Sequence, residues 1–327
     1  MFRKVLDAMQ QGRSPLLYTA IDGEHMGELA VCDDANQYGN RNLIFDVSSD
    51  EALPAVHQGI LVERITTPPH LILCGGGHVS VYTAKIAKMV GFHVTVIDER
   101  EDFANPNRFP DADQILNQPF EQALDEIQFQ NTYYVIVTRG HKDDRYCLEH
   151  ILQKPFTYCG MIGSHTKTKI VFDHMIQNGF SREKLLTVHT PIGLPIGANT
   201  PEEIAVCIVG ELIQVKNGKS HGSEWDAALC KAISSQTEPY AMVTLIEKHG
   251  SAPRSTGARM IVKQNGTIVS SIGGGFGEYQ AKEYALALLE HGPKVKRYTC
   301  RMNNTDAAKT GMVCGGTIDI LIQIVEV

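Results

Sequence analysis

Several things are scarce in this sequence. Its 327 residues hold one tryptophan, and aromatic residues make up only 7%. No apolar run approaches the roughly 18 residues that read as a membrane span, so no transmembrane helix is expected. The opening stretch, Met1-Phe2-Arg3-Lys4-Val5-Leu6, lacks the apolar block of a secretory leader. The eight cysteines form no Cys-x-x-Cys pair, which argues against a zinc ribbon or an iron–sulfur ligand run. Several of them lie inside apolar strand patterns, where a free thiol packs as a small core residue. A reduced, cytoplasmic protein is expected. There is no basic excess either. Thirty Lys and Arg against 37 Asp and Glu leave a net charge of −7, which disfavours nucleic acid and anionic membranes as partners.

What is present is ordinary globular composition, 43% hydrophobic and 20% charged. At roughly 100–200 residues per domain, the length suggests two or three domains. Thr66-Thr67-Pro68-Pro69 is a stiff break, because proline fixes φ and removes a donor. Lys216 to Gly222 is a polar, glycine-bearing linker. Three regions follow: 1–67, 68–216 and 223–327.

The middle region alternates strand and helix. Strands are expected at His70–Cys74, Val94–Asp98, Tyr133–Thr138 and Tyr158–Gly163. Helices are expected at Val79–Val90 and from Pro201 to about Val215, the latter with Thr200 as N-cap. Such alternation predicts an α/β fold with a parallel sheet covered on both faces. The last region reads as α+β. It has helices at Trp225–Ser234 and Glu278–His291, and strands at Tyr240–Glu247, Ala258–Lys263, Thr267–Ser271 and Thr317–Val327. Asn265-Gly266 predicts a type I′ hairpin.

Two glycine-rich loops carry the chemistry. Gly75-Gly76-Gly77-His78 follows a strand and opens a helix, and Asp98 ends the next strand. This is a mononucleotide-binding, Rossmann-like layout. Glycines admit a pyrophosphate, the helix start supplies N–H groups, and the acid takes a ribose hydroxyl, or else the loop is a tight strand–helix turn with no ligand. Ser80 departs from the usual Gly or Ala at the sixth position. The second loop, Gly273-Gly274-Gly275, either cradles an anion or lets two backbone segments cross. Arg254 and Arg259, in a Gly- and Pro-bearing segment, suit bidentate phosphate recognition or lie solvated on the surface. His141 and Asp144 stand at a predicted strand end, as ligand contacts or as a helix start, and Gly163 repeats the theme of strand, glycine and polar cation.

Taken together, the motifs resemble the XdhC/CoxI family of xanthine dehydrogenase accessory proteins. Gly250-Ser251-Ala252-Pro253-Arg254-Ser255-Thr256-Gly257-Ala258-Arg259-Met260, the Gly273–Glu278 loop and Gly311-Met312-Val313-Cys314-Gly315-Gly316 resemble its CoxI-type domain. Gly75–His78, Gly160-Met161-Ile162-Gly163-Ser164 and the run Pro191–Ala205 resemble its Rossmann-like domain. Typical members place the CoxI-type domain first, so the order here is reversed. Phe276 also stands where relatives often carry cysteine. Residues 1–67 are a candidate degenerate copy of the C-terminal domain, on a faint likeness of Ser14-Pro15-Leu16-Leu17-Tyr18 to Glu238-Pro239-Tyr240-Ala241-Met242.

The resemblance implies an accessory protein that binds molybdenum cofactor, as molybdopterin or its dinucleotide form, and delivers it to the apo-enzyme of a xanthine dehydrogenase-type molybdenum hydroxylase. It also implies a cysteine desulfurase as helper. Gly75, Gly76, Gly77, His78, Asp98, His141, Gly163, Arg254, Arg259, Gly273, Gly274 and Gly275 are the expected cofactor contacts. Cys314 is the expected contact to molybdenum or its sulfur. A nucleotide at the Rossmann-like site and a homodimer are further expectations. The competing readings are an NAD(P)-dependent oxidoreductase and a non-catalytic component of the hydroxylase complex. Hydroxylation by the isolated chain is not expected.

Overall fold

The computed structural model describes residues 1–48, 51–127, 131–218, 222–249, 254–301 and 316–326. The chain opens with helix α1 (Phe2–Gln10), which buries Phe2, Val5, Leu6 and Met9 along one stripe. Strands β1 (Leu16–Ala20), β2 (Leu29–Cys32), β3 (Gln37–Gly39), β4 (Ala55–His57) and β5 (Ile60–Thr66) follow. They pair antiparallel in the order β4-β5-β1-β2-β3, within a six-stranded sheet whose sixth strand comes from Ser223–Glu224 and pairs parallel with β5.

The middle of the chain contributes β6 (His70–Cys74), α2 (His78–Met89), β7 (His93–Ile97), β8 (Gln114–Leu116), α3 (Phe120–Glu126), β9 (Thr132–Ile136), α4 (His141–Ile151), β10 (Tyr158–Met161), α5 (His165–Gln177), α6 (Arg182–Leu185) and α7 (Pro201–Gly218). Its sheet is wholly parallel, in the order β10-β9-β6-β7-β8. Alternation along β6 builds two cores. Ile72 and Cys74 pack with residues of α3, α4 and α5, while Leu71 and Leu73 pack with α2 and α7. A strand buried on both faces is mostly apolar, which is why Leu71–Cys74 reads as a continuous run, and the buried His70 before it bonds to Thr95 Oγ1 at 2.8 Å. The start of α7 is a reciprocal cap. Thr200 Oγ1 accepts from the Glu203 N–H, and Glu203 Oε2 accepts from the N–H groups of Asn199 and Thr200.

The chain ends with β11 (Ser223–Glu224), α8 (Ala227–Ser235), β12 (Tyr240–His249), β13 (Arg259–Lys263), β14 (Ile268–Ser270), α9 (Gly275–His291), β15 (Val295–Arg301) and β16 (Thr317–Val325). The second antiparallel sheet runs β15-β16-β12-β13-β14. The β13–β14 hairpin forms, but its turn differs from the expected type I′. Gly266 alone takes positive φ, at 78°, and Lys263 and Thr267 close a three-residue loop. Asn265 instead accepts the Thr267 N–H through Oδ1, at 3.0 Å.

Two compact units result. Residues 1–67 and 220–327 make one, and 68–219 make the other. The N-terminal region thus folds with the C-terminal one, and the parallel-sheet unit is inserted between them. Among the described residues, no helix is long and apolar enough to cross a membrane.

Candidate functional site

The strand order of the parallel sheet reverses between β6 and β9, and a crevice for ligands opens at the carboxyl ends of the strands at such a point. Gly75 lies there with φ of 113°, and a Cβ on it would meet the Val137 carbonyl oxygen at 2.6 Å. A Cβ on Gly76 would meet the Phe103 carbonyl oxygen at 2.0 Å. These two glycines are therefore needed for the close approach of backbone to backbone. Gly77 differs, because space around it is open. It is the N-cap of α2 and makes no side-chain cap, and no acid stands in that first turn. Gly140 also caps α4 without a side chain, but its N–H donates to Thr138 Oγ1 at 3.3 Å, and Asp143 and Asp144 stand in the first turn. The unexpected Ser80 is buried, and its hydroxyl donates to the Gly75 carbonyl. It holds the loop where a glycine would only have made room.

Asp98 is spent within the protein. Its carboxylate accepts from the Gly76 N–H at 2.9 Å and from Arg100, whose Nε and Nη2 lie 2.8 and 2.7 Å away. Burial pushes this carboxyl up, but the Arg100 and Gly76 hydrogen bonds outweigh it and hold its pKa below the usual value. Arg100 in turn lies over the Phe103 ring at 3.7 Å. The expectation of a free ribose acceptor is thus corrected, because a fork of Arg100 already occupies it. Beside it, Asp98, Glu99, Arg100, Phe120, Thr138, Arg139 and Asp143 line an open pocket.

His78 and His141 are exposed on the first turns of α2 and α4. Asp144 does not cap α4. It is wholly buried, accepts from Thr138 Oγ1 at 2.7 Å, and pairs with Lys167 of α5. Gly163 packs against the Lys167 stem, where a Cβ would lie 3.1 Å from Cδ. Lys167 was not anticipated. The signal for it was the polar cation following Gly163, and only the fold brings that cation to Asp144.

In the other unit the expected anion contacts fare differently. Glu278 Oε2 accepts from the Ile272 and Gly274 N–H groups, each at 3.0 Å, and Ser271 Oγ accepts from Gly273. The Gly273–Gly275 loop, whose three glycines all have positive φ, is closed by its own helix's glutamate. Arg259 is likewise not a surface phosphate contact. Its side chain is 1% exposed and forms a bidentate pair with Glu63, with Nη1 at 2.8 Å from Oε1. Arg254 is exposed. Cys314 lies outside the described residues, as do Gly250–Pro253. Among the described cysteines none is exposed, and burial pushes the thiols of Cys230 and Cys300 up to about 11.

The segments carrying these motifs start from neighbouring strand ends, since His249 pairs with Thr317 and Thr317 with Arg301. Just inside that corner, Glu247, His249 and Asp319 hold ligand atoms within 4.8 Å of one another. Arg297 donates to Asp319 at 2.7 Å and also pairs with Glu247, so a cation already sits among these acids.

Comparison with known proteins places this geometry. The XdhC Rossmann domain matches residues 71–212, and the XdhC and CoxI family matches residues 234–299. The chain is 30% identical over 220 residues to a probable xanthine dehydrogenase subunit of Bacillus subtilis, covering 66% of this chain and 64% of that one. It is 30% identical over 155 residues to the uncharacterized protein YqeB of Escherichia coli, covering 47% of this chain and 28% of that one. It therefore spans less than two thirds of the length of either relative. The crystal structure of a xanthine dehydrogenase from Bacillus halodurans superposes with a TM-score of 0.54 at 25% identity, covering 66% of each chain. With both of its domains matched, Rossmann domain first, the chain belongs to the XdhC and CoxI family.

Proposed function

We propose that the chain is an accessory protein to a xanthine dehydrogenase-type molybdenum hydroxylase, that it binds molybdenum cofactor, and that it hands the cofactor to the apo-enzyme. Family membership and the names of its relatives support the accessory role. The observation that carries cofactor binding is the start of α2 at Gly77, which has no side-chain cap and no acid in its first turn, beside the strand-order reversal. A phosphate tail of a pterin or its dinucleotide form fits the positive end of that helix. His78 and His141 stand beside it. Lys167 lies along the same strand ends, paired with Asp144.

The fit is selective. The Gly273 and Gly274 amides and Arg259 are already engaged, so phosphate is not assigned to them. The metal end calls for a soft donor, and Cys314 is the thiol proposed for it. The bound cofactor would supply its molybdenum centre to the hydroxylase, and this chain would hold the tail and shield the centre during transfer. A cysteine desulfurase is the proposed helper. The nicotinamide-dependent reading has weaker support, because the Asp98 carboxylate is closed by Arg100.

The test is purification under anaerobic conditions from cells making the cofactor, followed by assay of bound pterin and molybdenum. Both are expected in the wild type. Gly77→Asp is expected to lose the pterin, and Cys314→Ser the molybdenum. A wild-type protein free of both refutes the reading, and micromolar NAD(P)H binding with hydride transfer favours the dehydrogenase instead.

A further inference from the structure

Apart from β11, which pairs parallel with β5, the two terminal sheets have one topology. Each is preceded by a helix, α1 or α8, and each has the order last-but-one strand, last, first, second, third. The match extends to single hydrogen bonds. The Gly27 N–H donates to Ala20 O at 2.8 Å, and the Gly257 N–H donates to Leu245 O at 2.8 Å. The Ala20 N–H donates to Glu28 O at 3.0 Å, and the Leu245 N–H to Ala258 O at 2.9 Å. Gly27 and Gly257 share a φ near 90°, at 91° and 89°. Pairing across the strands then equates Leu17 with Met242, Val31 with Ile261, Leu61 with Leu321 and Glu63 with Gln323. The faint sequence likeness of Pro15 to Pro239 is one residue out of this register, which would turn every side chain to the wrong face.

Contacts between the two sheets are reciprocal. Glu63 lies at Gly257, where a Cβ would come within 2.4 Å of its Oε1, and it pairs with Arg259. Its counterpart Gln323 donates to the carbonyl of Gly27, the counterpart of Gly257, at 2.9 Å. Equivalent residues also meet one another. Leu61, Leu321, Ile21 and Ile246 form one cluster, and α1 joins α8 in another, with Phe2 6.0 Å from Trp225. Contact of i with j′ and of j with i′ is the signature of an isologous interface.

We infer that residues 1–66 are a shortened second copy of the C-terminal domain, docked on it about a local two-fold, and that they fill within one chain the place of a second subunit. The copies have diverged in their loops. Ten residues, 247–256, link Ile246 to Gly257, and five, 22–26, link Ile21 to Gly27. A helix, α9, covers the outer face of one sheet, whereas Leu43 and Leu53 cover the other. The pair therefore carries one arginine loop, and the face bearing Met242, Ile261, Leu321 and Arg259 is closed to another molecule.

The test uses the full chain with protease sites placed at 67–68 and 219–220 and a tag on its C-terminus. After cleavage, capture of the C-terminal fragment is expected to retain the N-terminal one, and its loss to the unbound fraction overturns the inference. Glu63→Arg is expected to raise release at least 10-fold, and Glu63→Arg with Arg259→Glu to restore retention. A swap that fails to restore it overturns the assigned contact. Once freed by Glu63→Arg, the C-terminal fragment is expected to scatter light at twice its mass. A single or aggregated fragment overturns the second-subunit reading. None of these outcomes depends on cofactor binding.

Discussion

The two glycine loops look alike in sequence and behave as opposites in the structure. Both follow a strand and open a helix. At Gly273–Gly275 the helix turns its own Glu278 back onto the amides, so the loop is a closed piece of architecture. At Gly75–Gly77 no acid stands in the first turn of α2 and Gly77 makes no side-chain cap, although the Gly75 N–H is taken by the Ile97 carbonyl and the Gly76 N–H by Asp98. Whether a glycine loop serves a ligand is therefore decided by the residues that follow and face it, not by the glycines.

Four changes test that contrast. The largest effect is expected at Arg259. Arg259→Ala leaves Glu63 buried without its charge partner and should lower stability by about 3–5 kcal/mol in denaturant unfolding, while Arg254→Ala, on the exposed side, should change it by under about 0.5 kcal/mol. Neither should weaken ligand capture at the open edge. Next is Asp98, whose folded pKa lies below its unfolded value. Its stabilisation is complete above the unfolded pKa near 3.9 and is lost as pH falls through the lowered folded value. Arg100→Leu should shift that acid loss of the parallel-sheet unit to higher pH, read by acid titration of its circular dichroism. Third, Glu278→Ala should cost about 1 kcal/mol and let sulfate bind at the freed Gly274 amide, seen as a sulfate-dependent rise in Tm. Smallest is Gly77→Asp. Gly77 has φ of −66° and open space around it, so the aspartate should cap α2, raise stability by a few tenths of a kcal/mol and block the edge. Retained pterin in that variant would move the site elsewhere.

Much of the parallel-sheet unit could be read from residues, because a buried parallel strand is mostly apolar and its helices must start at caps. His70–Cys74 and the Thr200–Glu203 cap are examples. Short β8, paired through only three residues, carries too little pattern to be seen. The site was legible in part. Gly77 and His141 stand where the motif puts them, whereas Arg259 and Asp98 are absorbed by partners. The Arg259 partner, Glu63, is 196 residues distant in the chain. No local spacing encodes such a pair, and a lone arginine in a polar loop looks the same whether it faces water or a buried carboxylate. The shared strand order of the two terminal regions was also nearly hidden, since their side chains differ while the matching backbone hydrogen bonds are the same.

β11, where the chain returns after residue 219, lies in register beside the end of β5, where it departed, with Ser223 next to Ile65. The departure and return points are hydrogen-bonded neighbours, and Ser223 ties its hydroxyl to the buried Glu63. The host fold therefore closes on itself whatever is threaded between those points. A guest of different length or activity can be exchanged there with little strain on the host, which gives a simple physical route to relatives with differently ordered or differently sized parts.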